Sequence, residues 1–296
     1  MSAYISSVVI LFLLYGLLCL SFDFLAGDLR LLSLATPAMA GVGAYAAAIA
    51  DVSWAWPMWA GLLSAVIAAA LVGFVLAIMS LRVAGVYFFL VTMSFALILV
   101  TAFDQLRSVT NGPTGIRGIT PFDVAGLSTL DSGIAVSGLM CAAIAVCIVL
   151  LRRSYLGRRW RALGEDRLAA ANVGISRTAE LLKAVPLAGA IAGVAGFVHA
   201  HVIGIVNPTP FDLTAAILVL SFCIVGGLGR VSGALVGAAV GVLLPEMLRF
   251  VPIGDAVSQQ PLLRQLVFGL LLFMFLAIRP TGLLGRSKAK GGLEQA

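Results

Sequence analysis

The chain has 296 residues, of which 61% are hydrophobic and only 11% charged, with a formal net charge of +6. Soluble domains are about 45–50% apolar and about 25% charged, so a mean hydropathy of +1.10 identifies lipid as the solvent. A soluble enzyme, a nucleic-acid binder and a disordered chain are excluded on that ground.

A spanning helix needs roughly 20 mainly apolar residues. Five stretches free of Asp, Glu, Lys and Arg come first: Tyr4–Phe22, Leu31–Ala50, Pro57–Leu81, Val83–Phe103 and Ser132–Leu151. The first lacks the charged start and A-x-A site of a signal peptide, so it is expected as a retained span. Pro37 marks a candidate break in the second. Trp54, Trp56 and Trp59 suggest an interfacial aromatic belt. Asp104–Asp131 holds two Arg and three Asp and reads as external.

The segment Arg152–Lys183 carries eight basic and three acidic residues. With the tail residues Arg279, Arg286, Lys288 and Lys290, it is expected on the cytoplasmic side. Between the two lie Ala184–Phe211, Leu213–Gly229, Val231–Pro245 and Gln265–Ile278. The first of these exceeds one simple span, and Gly204, Asn207, Pro208 and Pro210 predict that its helix ends near Ile203. The Gly226–Gly229 run predicts a tight turn or broken helices. Alternation gives nine spans with the N-terminus outside, or ten with it inside. The fold class is all-α, a polytopic bundle of about eight to ten spans. Its parts are N-terminal spans (4–151), a cytoplasmic loop (152–183), C-terminal spans (184–279) and a cytoplasmic tail (280–296).

Lipid gives helices no hydrophobic reason to associate, so small residues at close-packed faces take over. Gly233, Gly237 and Gly241 share one helical face; Gly189 and Gly193 share another, extended by Gly196. Packing within the bundle is the plain role, with a channel wall or a helix that slides during transport as the alternatives. Cys19, Cys141, Cys147 and Cys223 sit in apolar runs without metal spacing and read as packing residues. His199 and His201 point roughly 200° apart on a helix and cannot jointly hold a ligand. Interfacial packing is expected of them, with a pathway-lining role as the alternative. No clear spanning core holds an ionisable acid or base, which argues against an ion-coupled carrier. No nucleophile elbow, zinc motif or phosphate-binding loop is present, so no metal or cofactor is expected and the chain does not bind ATP in the P-loop manner.

Ser154–Gly174 is the most specific segment. Glu165 and Asp166 suit the first turn of a short helix, Ala169–Ala171 favour it, and Gly174 suits its C-terminal stop. Small residues on that helix permit close approach by another protein; a solvated linker helix is the plainer alternative.

At these residues the chain resembles the permease subunits of branched-chain amino-acid type ABC importers, of the LivM-like kind. Gly41-Val-Gly-Ala-Tyr45, Leu81-Arg-Val-Ala-Gly-Val-Tyr-Phe88 with Thr92, and Asn111-Gly-Pro-Thr-Gly-Ile116 carry the resemblance in the first half. Ser154, Gly157-Arg158, Arg161-Ala162, Glu165-Asp166, Ala169-Ala170 and Gly174-Ile175 carry it in the loop. Ala188-Gly189, Ala192-Gly193, Gly226–Gly229, Gly233, Gly237, Leu244-Pro-Glu246 and Arg279-Pro-Thr-Gly-Leu-Leu-Gly285 complete it. Gly164, Arg230 and Val185-Pro186 depart from the pattern; Pro186 suits a first helical turn.

The resemblance implies a bacterial inner-membrane importer subunit, not itself an enzyme. Its implied partners are cytoplasmic ATP-binding subunits, a second homologous permease subunit and an external solute-binding protein. Gly157, Arg158, Arg161, Glu165, Asp166, Ala169, Ala170 and Gly174 would form the ATPase-coupling loop. Arg161 and the two acids would hold the docked pose and the alanines would permit contact. The cargo expected is a small polar solute, foremost branched-chain amino acids, with urea, amides and aromatic acids as alternatives. A stand-alone secondary carrier or channel is the alternative function.

Overall fold

A computed structural model describes residues 2–83, 85–123, 128–250, 269, 282 and 283. The expected span Gln265–Ile278 and the basic tail otherwise lie outside the described residues.

The chain begins with α1 (Ser2–Asp28), α2 (Thr36–Val52), α3 (Met58–Ser80) and α4 (Val86–Gln105). A short module follows, with α5 (Arg107–Thr110), a 3-10 turn and the two-residue strand β1 (Ile116–Arg117). Then come α6 (Thr129–Arg153), α7 (Tyr155–Glu165), α8 (Arg167–Asn172), α9 (Arg177–Ile203), β2 (Ile205–Val206), α10 (Leu213–Gly226) and α11 (Val231–Phe250). All eight apolar stretches within the described residues contain a helix. α1, α3, α4, α6 and α9 are long and apolar enough to cross a membrane, and the pair α10–α11 qualifies as one unit bent by 119°.

Two stretches are not simple spans. α2 has 17 residues, about 26 Å at 1.5 Å per residue, short of a hydrocarbon core of about 30 Å. Pro37 sits in its first turn, and residues 29–35 approach it without forming a helix. One buried backbone donor of that approach is satisfied, since Leu34 N–H donates to Thr92 Oγ1 at 3.1 Å. α10 is shorter still, at 14 residues. Gly227 and Gly229, both at positive φ, reverse the chain into α11 where a β-carbon would be strained.

α1 and α6 run in the same direction. Gly133 faces Ile10, Gly16 faces Cys141, and Arg152 meets Asp23 and Asp28. α1 therefore starts at the end away from Arg152. Arg152, the turn after α10 and the start of α9 mark the basic end. Trp54, Trp56 and Trp59 are exposed at the opposite, far end, where Trp54 and Trp56 touch.

α9 is the central post. α3 packs against it antiparallel and α2 parallel, and glycine sets both distances. A β-carbon at Gly189 would lie 2.5 Å from Ala69 O, and one at Gly193 2.6 Å from Ala65 O. A β-carbon at Gly43 would lie 2.6 Å from Gly193 Cα, and Gly196 backs onto the α2 backbone at Ala40 and Ala44. Gly233 and Gly237 likewise meet the α10 backbone, while Gly241 faces the Phe222 ring. Backbones at such separations give the dispersion contact that replaces hydrophobic burial in lipid.

The helix after the basic segment begins earlier than Pro186 suggests. α9 starts at Arg177 behind a Ser176 cap, and Pro186 lies inside it. The Leu182 carbonyl thereby loses its helical donor. Gly73 of α3 lies against this point, where a β-carbon would sit 2.9 Å from Val185 O. α9 does end at Ile203, on Gly204 at φ +74°.

The far end is closed by the β1–β2 ribbon, Ile116 opposite Val206 and Arg117 opposite Ile205. The Asn111–Gly115 run makes this contact feasible, because any side chain at Gly115 would collide with the Val206 carbonyl. Asp51 accepts from Thr120 N–H at 2.6 Å. His201 Nδ1 donates to Thr120 O at 2.8 Å and its ring packs on Phe122 and Phe197. His201 is thus a packing residue at the far end.

Candidate coupling face and ion cluster at the basic end

α7 is amphipathic by sequence. Gly157, Trp160 and Leu163 recur at helical spacing and are buried, while Arg158 and Glu165 are exposed. Trp160 stacks edge-on against Phe24 of α1, with centroids 5.3 Å apart. Gly157 folds back on the end of α6, where a β-carbon would lie 2.7 Å from Arg152 Cα. Gly164, a departure from the family pattern, has a packing reason: a β-carbon there would lie 2.6 Å from Asp28 O.

The expected short helix with Glu165 and Asp166 in its first turn begins instead at Arg167, and a separate helix, α7, precedes it. Glu165 is the last residue of α7, and Asp166 caps α8 by accepting from the N–H groups of Leu168 (2.8 Å) and Ala169 (3.0 Å). An extended residue at Asp166 breaks the helix, and its carboxylate restarts it. Gly174 ends the segment at φ +79°, where the left-handed conformation costs glycine little. Leu168 and Val173 are 80% and 74% exposed, and Ala169 is exposed beside them. Ala170 faces inward at 3% exposure.

Arg161 also turns inward. Its guanidinium donates to Arg152 O at 2.8 Å and to Gly157 O at 3.3 Å. It holds α7 onto α6 and does not project as a free docking group. Arg159 pairs with the fully buried Glu180 of α9 at 3.2 Å, and Lys183 reaches the same oxygen at 3.8 Å. Arg177 donates to Leu81 O and Val83 O, tying the start of α9 to the α3–α4 turn.

Beneath this surface lies a cluster that inspection of the sequence does not find. Arg152 donates to Asp23 at 2.9 Å and to Asp28 at 2.8 Å, and the two acids are 1% and 3% exposed. Asp23 also accepts from Gly229 N–H at 2.7 Å. One guanidinium thus joins the ends of α1 and α6 to the α10–α11 turn. The expectation that no spanning core holds an ionisable group needs correcting. α1 runs past Phe22 through both carboxylates, which are tolerable there because a cation and backbone donors pair them. The available signal was two acids at the basic end of an apolar stretch, where lysine or arginine is usual.

A recess of about 760 Å³ opens beside the cluster, with Arg30, Arg152, Arg161, Arg230, Asp28 and Glu165 on its walls. Leu283 N–H donates to Val225 O at 2.8 Å, so this residue of the expected tail lies at this same end. Among the described residues no group of His, Cys, Asp or Glu is arranged to hold a metal.

Many apolar helices joined through glycine faces, with charge gathered at one end, define a multi-pass α-helical membrane protein. The sequence model of the family described as "branched-chain amino acid transport system / permease component" matches residues 4–276. The chain belongs to that family. It is 28% identical to the high-affinity branched-chain amino acid transport system permease protein LivM of Escherichia coli, over 92% of this chain and 68% of that protein. It is 28% identical to LivH of the same organism over 50% of this chain and 46% of that protein. It is also 28% identical to the fructose import permease protein FrcC of Rhizobium meliloti, over 48% of this chain and 39% of that protein. No solved structure matches.

Proposed function

We propose that this chain is the permease subunit of an ATP-binding-cassette importer of the bacterial inner membrane, with branched-chain amino acids as its cargo. The basic end is cytoplasmic, as the distribution of arginine indicates. Separate ATP-binding subunits dock on α7 and α8, a second homologous permease completes the path, and an external binding protein delivers solute to the far end. The chain itself catalyses no reaction.

The observation that carries this reading is the connection from the exposed α8 face to the bundle. α8 follows α7 through a single capping residue. α7 is fastened through Arg161 to Arg152, and Arg152 fastens α6, α1 and the α10–α11 turn. A displacement applied at α8 therefore reaches four long elements through hydrogen bonds and ion pairs. Nucleotide binding by the partner then shifts the population between inward- and outward-open bundles, to the extent that it prefers one. Leu168, Ala169 and Val173 supply an exposed apolar contact, and Glu165 and Asp166 add charge at its edge.

The test is co-purification and uptake with the assembled system. Leu168→Asp with Val173→Asp is expected to abolish retention of the ATP-binding subunits while the permease still inserts and folds. Leucine uptake by the purified chain alone, driven by an ion gradient, would overturn the proposal in favour of a secondary carrier.

A further inference from the structure

A second cavity, of about 400 Å³, lies between α1, α2 and α9 beneath the loop that follows α9. Leu11, Leu14 and Leu18 of α1 form one wall, and Ala40 of α2 and Ala195 of α9 form another. The small residues follow from the glycine packing described above, since the α2–α9 approach leaves no room for longer side chains. Phe211 forms the roof against Gly41 and holds the His199 ring edge-on, with centroids 5.0 Å apart. The rim, at Ile203, Ile205 and Asn207, faces the far end.

The polar content of this cavity is low and localised. His199 Nδ1 is buried and has no hydrogen-bond partner. A neutral imidazole nitrogen can accept from an ammonium group or donate to a carboxylate, and a buried nitrogen left without either is costly. Asn207 at the rim offers both a donor and an acceptor, and Tyr15 offers a hydroxyl. Small-ligand sites combine such a predominantly apolar lining with a few placed polar groups, in volumes of about 300–1,000 Å³. Helix packing alone would favour filling the space and pairing the histidine.

We propose that this cavity is a solute-binding site within the single subunit. It takes the branched aliphatic side chain of a zwitterionic amino acid against the leucines of α1, with the charged end toward His199 and Asn207. His201, two residues on, faces the opposite way, bonds Thr120 O through Nδ1 and does not line the cavity, so His199 alone serves the site. The assignment rests on the importer reading and names where its cargo pauses.

The experiment uses the assembled transporter in proteoliposomes with leucine and alanine as competing cargoes. Leu11→Trp and Ile203→Trp fill the cavity from its exposed side without disturbing a packed helix face. Each is expected to lower the leucine-to-alanine uptake ratio by roughly tenfold, the discrimination a lost apolar contact of this size gives. His199→Gln is expected to retain leucine uptake and His199→Ala to reduce it. In the unaltered transporter, a diazirine analogue of leucine is expected to label residues 11–18 or 203–211 upon illumination, with excess leucine suppressing the label. An unchanged ratio in both tryptophan variants, or labelling confined to other segments, overturns the site while leaving the importer reading standing. Failure of the unaltered transporter to move any amino acid overturns the importer's cargo and the site with it.

Discussion

Replacement of Arg152 by Gln removes both charge-assisted hydrogen bonds of the buried cluster while keeping a polar side chain. Two carboxylates, 1% and 3% exposed, then lose the guanidinium that neutralises them. Breaking a buried pair by deleting one partner costs about 3–5 kcal/mol, and the 12% exposure of the Arg152 side chain leaves little solvent to soften that figure. The Gly229 N–H contact to Asp23 survives, so the loss is expected at the lower end, about 3 kcal/mol. Equilibrium unfolding in mixed micelles measures it. Adding Asp23→Asn and Asp28→Asn to Arg152→Gln removes the stranded charges and is expected to recover at least half of the loss. A fall below about 1 kcal/mol for the single variant, the range of exposed ion pairs, would refute the reasoning. So would a triple variant no better than the single one, because the penalty would then not come from uncompensated charge.

The glycine contacts make a steeper prediction. Gly193→Val places a branched side chain where even a β-carbon lies 2.6 Å from Ala65 O, and a loss of roughly 3 kcal/mol or more is expected in the same assay. Gly269→Ala, with none of the described residues within 4 Å of the added carbon, is expected to change stability by less than about 1 kcal/mol. At the coupling face, Asp166→Ala removes the α8 cap and is expected to cost about 1 kcal/mol locally, read as faster amide exchange at Leu168 and Ala169. Ala169→Arg and Ala170→Arg should diverge. The first blocks retention of ATP-binding subunits with stability intact, whereas the second, at a site 3% exposed, destabilises α8 itself. Equal stability of the two would contradict the inward orientation of Ala170.

Apolar stretch length and glycine spacing belong to local sequence. Because a helix satisfies its own backbone, the presence of helices, the end of α9 near Ile203 and the turn at Gly226–Gly229 were legible without knowing what packs against what, whereas Pro37 starts α2 and does not break a helix. The motif order along the chain made the family legible for the same reason. Side-chain direction was not legible. Arg161, Ala170 and Arg152 each look like surface groups of a basic loop, yet each turns inward, because α7 folds back under the end of α6. Partners of Arg152 lie 124 and 129 residues away, a separation that no helical period encodes. Pro186 likewise looked like a helix start until the capping by Ser176 moved the start of α9 nine residues earlier.

The sequence by itself therefore determined that this is a membrane-embedded helical permease, with its charge concentrated in one connecting segment. Composition and apolar stretch length suffice for the membrane helices, because the lipid solvent acts on each segment separately, and the order of motifs along the chain carries the resemblance to the permease family. Only the tertiary structure decided which charges are free and which are consumed. It buried one arginine between two acids and closed α2 onto α9 through Gly43, Gly193 and Gly196. It also left His199 Nδ1 without a hydrogen-bond partner beside an apolar cavity. Those outcomes depend on distances between helices, set by small residues far apart in the chain, and a pairwise distance is a property that neither residue carries alone.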